Sequence, residues 1–394
     1  MVEVFDRILA AARQLGASDV IFKAGLPPIF RLKGELRTLQ NVAKLGREQI
    51  TAFAQAIMNP RQSKELETQL EADLAYSTPD GVRYRCSVFF QRGNIEMVLR
   101  VISPEIPPFA SLHLPDVVLQ LADEQRGLVL VTGVTGSGKS TTLAAMLEHI
   151  NQKRAAHIVT VEDPIEYIFR DRKSVVTQRE LGLDTLSFTR ALRAALRQNP
   201  DVIFVGEMRD LETIEIAITA AETGHLVLST LHTADAVESV NRIIAAYAPH
   251  QQSQARLMLA AVLRGVVSQR LVPRADGKSM IPAVEVLVGN ARVRELIEDP
   301  ARTSEIRDAM ATSRTPYGMQ TFDQSLAELV LAKLVTYQDA VRHASNPDDF
   351  ALYFRGVSKS TDVDWSDTNL QYKGDPAGGA ARVPGKTDDF EIIR

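Results

Sequence analysis

The sequence predicts an α/β protein in which a larger domain, built on a mostly parallel sheet, follows a smaller α+β domain. Three observations lead there. From residue 126 onward, short and nearly continuous apolar runs alternate with stretches of helical period, the pattern of buried parallel strands joined by crossover helices. One run, Gly127-Leu128-Val129-Leu130-Val131-Thr132, leads straight into Gly133-Val134-Thr135-Gly136-Ser137-Gly138-Lys139-Ser140, which has the spacing of a phosphate-binding loop. Upstream, the proline-bearing stretch Ser103-Pro104-Glu105-Ile106-Pro107-Pro108 marks a boundary. The expected division is a first domain over 1–102, a linker over 103–125, the larger domain over 126–355 and a flexible tail over 356–394.

Within the first domain the pattern gives a helix to Leu15, then strand-like runs at 20–22 and 29–32 separated by Gly25-Leu26-Pro27-Pro28. A second helical stretch covers 47–70. The domain closes with a hairpin, 84–91 and 95–102, whose turn includes Arg92-Gly93-Asn94. In the larger domain the strand runs are 128–132, 158–161, 202–205 and 226–230. Phe188, Leu192, Ala195 and Leu196 share one helical face, and Asp210 opens another helix that Gly224 is placed to close. Segments around 253–267, 292–298 and 322–334 read mostly as helices. Beyond 355 the chain turns to Ser, Asp, Gly, Pro and Lys, and its last residues, Phe390 to Arg394, offer either a short docking peptide or a frayed end.

The 394 residues are 45% hydrophobic and 24% charged, ordinary globular material for two domains. A formal net charge of -4 gives no electrostatic footprint for nucleic acid, although a basic groove inside an oligomer does not register in that sum. Cys86 is the only cysteine, which excludes an intrachain disulfide and a multi-cysteine zinc site and assigns the thiol to core packing. The first residues alternate charged and apolar and lack the run of a signal peptide or spanning helix. The protein is therefore expected in the cytoplasm, with any membrane contact made through a partner.

In the loop, Gly133, Gly136 and Gly138 permit backbone conformations that turn consecutive N–H groups toward one anion, and the helix starting near Lys139 adds its positive end. Lys139 would reach the β- and γ-phosphates of a nucleoside triphosphate, and Ser140 would place its hydroxyl on the bridging Mg²⁺. Thr135, Ser137 and Thr141 complete this nucleotide-contacting set, with Asp163 and His225 as further candidates. The site also needs carboxylates at neighbouring strand ends. Val202-Ile203-Phe204-Val205-Gly206-Glu207 ends in one, and Glu207 is expected to act on Mg²⁺ through water. Ile158 to Glu166 delivers Glu162, Asp163 and Glu166, with Pro164 fixing the turn. Glu166 is the first choice for polarising the attacking water, and the bland alternative for these acids is a solvated loop. His225 and His232 fall at the two ends of the run 226–230, which argues against a shared metal; His232 fits a γ-phosphate sensor.

If Arg92-Gly93 forms a two-residue turn, Arg85 and Arg100 stand directly opposite each other, an arrangement that like charges disfavour. An anion arriving between them resolves the conflict, and the γ-phosphate held by a neighbouring subunit is the obvious one. The alternative is a pair of surface arginines offset by Glu96.

The whole set resembles the type IV pilus and type II secretion ATPase superfamily, and within it the retraction (PilT-like) branch. Four signatures match in order: the Walker A loop 133–140; Val161-Glu162-Asp163-Pro164-Ile165-Glu166 as the Asp box; Asp201 to Glu207 with Met208-Arg209-Asp210 as the atypical Walker B; and Ala221-Glu222-Thr223-Gly224-His225 through His232-Thr233 as the His box. Leu15 to Asp19, Ala24 to Pro28 and Gly318 to Asp323 extend the likeness, which covers residues 1 to about 355. The resemblance implies a PAS-like first domain, a RecA-like P-loop ATPase core and a homohexameric ring. It further implies ATP and Mg²⁺ between subunits, Arg85 and Arg100 acting in trans, an inner-membrane platform protein as partner and peripheral association with that membrane. The absence of a four-cysteine insert and of a longer N-terminal region favours retraction over assembly. Where retraction motors carry Ala-Ile-Arg-Asn-Leu-Ile-Arg-Glu, this chain has Arg292-Val293-Arg294-Glu295-Leu296-Ile297-Glu298-Asp299. Glu298 reverses a charge there, so the accessory (PilU-like) paralogue stays open as an alternative, either as this chain's role or as its partner. The rival classes are a nucleic-acid translocase, unsupported by any basic helix with interleaved aromatics, and a nucleotide-gated ring of little turnover.

Overall fold

The computed structural model describes residues 2–32, 34–38, 43–102 and 105–354. The expected tail at 356–394, with the stretch Phe390 to Arg394, lies outside the described residues. The chain forms two compact units. The first runs to Ile106 and takes in Asp163–Phe169 and Glu180–Asp184; the second holds the rest, beginning at Pro107.

The first unit is one antiparallel sheet of β1 (Asp19–Phe22), β2 (Ile29–Leu32), β3 (Glu35–Thr38), β4 (Glu71–Ser77), β5 (Arg83–Gln91) and β6 (Asn94–Val101). Their order is β3-β2-β1-β6-β5-β4. Phe5, Leu9 and Ala12, spaced three and four apart on the helix Val2–Gln14, are buried, as the inner stripe of an amphipathic helix must be. Phe5 meets Phe22 and Phe53 with ring centroids 5.3 and 5.2 Å away, so the three rings form one centre of packing. Cys86 sits fully buried in the same core, where desolvation pushes its thiol far above the ordinary range.

The helical stretch expected over 47–70 is two helices, Arg47–Ile57 and Pro60–Gln69. Asn59 breaks it: its side chain accepts the Gln62 N–H as an N-cap, and Pro60 takes the first helical position, where its missing N–H costs nothing. The hairpin turn is Arg92-Gly93 with φ of 50° and 72°, the left-handed pair of a type I′ turn. Its register places Arg85 directly opposite Arg100.

The second unit carries β7 (Gly127–Thr132), β8 (His157–Glu162), β9 (Val175–Glu180), β10 (Val202–Val205), β11 (Leu226–Leu231), β12 (Leu263–Pro273) and β13 (Met280–Val288) in the order β13-β12-β7-β11-β10-β8-β9. From β12 to β8 the neighbours are parallel, and β13 joins antiparallel at the edge. Every residue of β7, β10 and β11 is buried, which is why each reads as an unbroken apolar run.

Two expectations change here. The helix expected across 253–267 stops at Val262, and the chain enters β12 at Leu263. A buried strand and a buried helix give the same apolar run, and the site is settled by packing: a Cβ on Gly265 would lie 2.6 Å from Leu121. The expected linker 103–125 contains the helix Val117–Ala122, whose Val117, Val118, Leu121 and Ala122 are buried, so its second half is core of the second unit.

Candidate active site

The loop between β7 and the helix Lys139–Lys153 is held by backbone geometry that only glycine accepts. Gly133, Gly136 and Gly138 all have positive φ, at 142°, 80° and 92°. At Gly133 there is no room either: a Cβ would stand 2.5 Å from the Gln269 carbonyl oxygen and 2.5 Å from Ser137 Oγ. The first N–H groups of the following helix have no intrahelical acceptor and are available to an anion. Lys139 is 8% exposed, and its ammonium donates to the carbonyls of Gly133 at 2.7 Å and Val134 at 3.0 Å, so its charge lies on the loop itself. Ser137 Oγ is buried without a hydrogen-bond partner, a polar atom suited to a phosphate oxygen. Thr135 and Gly136 are exposed, and Ser140 and Thr141 half-buried. Residues 133–141 of the set expected to contact nucleotide thus sit on one loop and one helix start.

Parallel register then brings the other strand ends to the loop's level. Leu130 lies beside Ser229, Ser229 beside Val205 and Val205 beside Val161. At the same edge Thr132 ends β7, Leu231 ends β11, and Glu207 follows β10 by two residues, with the next N–H, that of Met208, donating to the Thr230 carbonyl at 3.3 Å. Side chains lock this edge: Thr230 Oγ1 donates to the Gly206 carbonyl at 2.6 Å, and the Gly206 N–H donates to the Val161 carbonyl at 2.8 Å. Glu207, with a side chain 12% exposed, pairs with Arg209 Nε at 2.6 Å and lies 3.6 Å from His232 Nε2. A hydroxyl at Ser140 and a carboxylate at Glu207 form the hard oxygen donor set that Mg²⁺ prefers.

Other predicted residues go elsewhere. His225 precedes β11 at its opposite end, with its N–H and Nδ1 directed at the Ala220 carbonyl. Six strand residues separate it from His232, about 20 Å, so the placement takes His225 out of the nucleotide-contacting set of its own chain. Glu162 is not a solvated loop acid: it is 6% exposed and accepts from Thr160 Oγ1 at 2.6 Å and Gln178 Nε2 at 3.1 Å. Asp163 and Glu166 are exposed and belong to the segment grouped with the first unit, where the Ile165 N–H donates to Glu180 at 3.0 Å. Asp163 precedes Pro164 through a cis peptide bond.

Arg85 and Arg100 are exposed in the first unit. The acid paired with Arg100 is not Glu96, which pairs with Lys23 at 3.2 Å. It is Asp19, on β1 directly across the ladder from Arg100, at 2.9 Å from Arg100 Nε and 3.4 Å from Arg31 Nε. One carboxylate therefore serves Arg31 and Arg100 while Arg85 has no ion pair among the described residues.

Several supporting residues carried no motif. Arg209 covers Glu207; Thr132 Oγ1 donates to Ser268 Oγ at 2.9 Å, and Gln269 Nε2 donates to Thr142 Oγ1 at 2.9 Å, so β12 braces the loop from behind. The available signal was a pair of polar residues inside the run 263–273.

Comparison with known proteins identifies the family. The family described as type II/IV secretion system protein matches residues 4–347. The Pseudomonas aeruginosa type IV pilus retraction ATPase PilT is 41% identical over 343 residues, covering 87% of this chain and 98% of that protein. The type IV pilus ATPase PilU of the same organism is 40% identical over 356 residues, covering 90% and 92%. A crystal structure of the pilus retraction motor PilT with bound ADP superposes with a TM-score of 0.81 at 43% identity, covering 87% of this chain and 98% of that one.

Proposed function

Because the chain belongs to the type II/IV secretion ATPase family, we propose that it is an ATP-driven motor of the retraction type, withdrawing a type IV pilus and so powering twitching motility. The observation that carries the reading is the convergence of the Gly133 to Ser140 loop with Glu207 and His232 on one end of a parallel sheet. A loop alone fits kinases and switches equally well. A carboxylate and an imidazole beside it make a site that can sense and hydrolyse.

In this reading the loop N–H groups, Lys139 and Thr141 bind the phosphates, while Ser140 and Glu207 would hold Mg²⁺, which would supply positive charge against the phosphates. Glu166 orients the attacking water. His232 contacts the γ-phosphate and reports its loss to Glu207. Arg85 and Arg100 belong to the neighbouring subunit's site in a homohexamer, where they face the transferring phosphoryl group. The like charges opposed across β5 and β6 support this, since a sheet has no structural reason to align them. The platform partner at the inner membrane and a cytoplasmic location complete the proposal. No helix among the described residues is long and apolar enough to cross a membrane.

An accessory role beside a second retraction ATPase is the other reading, favoured by Glu298 at the end of the helix Ala291–Glu298. There Val293, Leu296 and Ile297 are buried and Arg294 and Glu298 are exposed, so the charge reversal changes a surface and not the packing. Deleting the gene separates the readings: retained surface pili with twitching lost supports the primary motor, twitching retained at reduced force supports the accessory one, and loss of pili overturns both.

A further inference from the structure

Glu285 lies in the middle of β13, 2% exposed, in the apolar run Ala283-Val284-Glu285-Val286-Leu287. A carboxylate so placed is expensive and needs a reason. Its Oε1 accepts the Ala236 N–H at 2.9 Å, and Ala236 is the first residue of the helix Ala236–Ala245, four residues after His232. Across the ladders Glu285 pairs with Ser268, Ser268 with Thr132 and Thr132 with Leu231. These four residues form one row across β13, β12, β7 and β11. Thr132 immediately precedes Gly133, and Leu231 immediately precedes His232.

The chain therefore leaves β11 at Leu231, carries His232, and is caught again at Ala236 by β13, three strands away. Between those anchors the segment is tied to itself: Asp235 Oδ1 accepts the Glu238 N–H at 2.8 Å, Glu238 Oε2 accepts the Ala234 N–H at 2.6 Å, and Thr233 Oγ1 meets Ser239 Oγ at 2.7 Å. These bonds stiffen the segment without fixing it to the sheet. The Glu285 bond does that.

We propose that Glu285 is a positioning residue for ATP hydrolysis, anchoring the segment that carries His232 to the strands that hold the phosphate loop. The inference rests on the hydrolytic reading of the site and adds a residue that touches neither nucleotide nor water. The groups facing Glu285 are Asp235 at the helix cap, Arg307 on the helix Ile306–Thr312, and Arg270 on β12. Arg307 is itself paired with Asp235 at 3.5 Å, and Arg270 donates to the His343 carbonyl at 2.7 Å, so neither guanidinium is committed to Glu285. Desolvation wins over the Ala236 N–H and raises the Glu285 carboxyl to about 7.

That direction gives a test on which structural and positioning roles disagree. A folded-state value above the unfolded one means that the carboxyl's contribution to stability is full below the unfolded value and is lost as pH rises through about 7. Glu285→Gln removes that loss while keeping the shape and a neutral acceptor for the Ala236 N–H. The variant is measured against wild type by steady-state ATPase at pH 6 to 8.5 and by thermal unfolding at pH 8. The expected result is a melting temperature at or above wild type, a KM for ATP within about twofold, and kcat lowered about tenfold at pH 8, the effect of losing one charge-assisted bond. The difference in kcat shrinks toward pH 6, where wild type also carries a neutral carboxyl. Wild-type kcat at pH 8 in the variant overturns the proposal, and so does a loss of kcat that comes with a lower melting temperature and a raised KM. Failure of wild type itself to hydrolyse ATP overturns the functional reading instead.

Discussion

Replacing Gly133 by Ala tests whether the loop's shape, and not its charge alone, makes the nucleotide site. Two costs can be read from the structure. At φ 142° an L-residue enters a region reserved for glycine, worth about 1–3 kcal/mol. The new methyl also meets the Gln269 carbonyl oxygen and Ser137 Oγ at 2.5 Å. Ser137 can rotate, but Gln269 is pinned in β12, where it pairs with Val284 and directly follows Ser268, which pairs with both neighbours, so overpacking adds about 1–3 kcal/mol. The total of about 4 kcal/mol corresponds to about a thousandfold in nucleotide affinity if the loop alone yields, at 1.4 kcal/mol per decade. If the sheet yields instead, the melting temperature falls by roughly 10 °C in a unit of this size. Gly136→Ala is the control, since Gly136 has φ 80° and nothing within 4 Å of its would-be Cβ. Only the left-handed strain of about 1–2 kcal/mol applies there, about tenfold in affinity. Titration of a fluorescent ADP analogue with parallel thermal melts reads both. Gly133→Ala binding no more weakly than Gly136→Ala, at an unchanged melting temperature, would refute the packing argument.

Lys139→Ala and Glu207→Gln are each expected to lower ATP turnover about 10²- to 10³-fold with the melting temperature little changed, as read by phosphate release. If His232 contacts the transferred group as proposed, His232→Ala should lower kcat more than it raises KM; a pure KM effect would place it in ground-state binding. Mixed rings test the trans arginines: Arg85→Ala subunits combined with Lys139→Ala subunits should regain turnover above either alone, and no regain means that the arginines act within their own chain. Cys86 should resist alkylation by iodoacetamide in the folded protein and react on denaturation, since burial holds it as the thiol.

The legible parts of this fold were those whose cause is local. β7, β10 and β11 are buried on both faces and appear as apolar runs, and the Arg92-Gly93 turn fixes the hairpin register by its own backbone geometry. Asn59-Pro60 carried an equally local signal that helical periodicity on either side obscured. β12 was illegible for a different reason. Its first residues continue the apolar pattern of the helix Gln252–Val262, and only the space against Leu121 and the partner strands decides that the chain extends there.

The same division runs through the site. The loop, Glu207 and His232 each follow an apolar strand, so topology alone puts them on one edge. His225 is separated from that edge by the length of β11, a consequence of strand direction that its nearness to His232 in sequence conceals. Glu285, Ser268 and Asp19 are harder still, because each owes its meaning to a partner far away in sequence: Ala236, Thr132 and Arg100. Of these, Asp19 bears most directly on the trans reading. It lies on β1 directly across the ladder from Arg100 and offsets that charge, while Arg85 has no ion pair among the described residues. Asp19 is itself buried, 5% exposed, so its carboxylate needs the guanidiniums of Arg31 and Arg100, whereas the Arg100 side chain stays open on its outer side. In the trans reading the same carboxylate also holds Arg100 beside Arg85 until a stronger anion competes for it. A phosphate carrying more than one negative charge is such an anion.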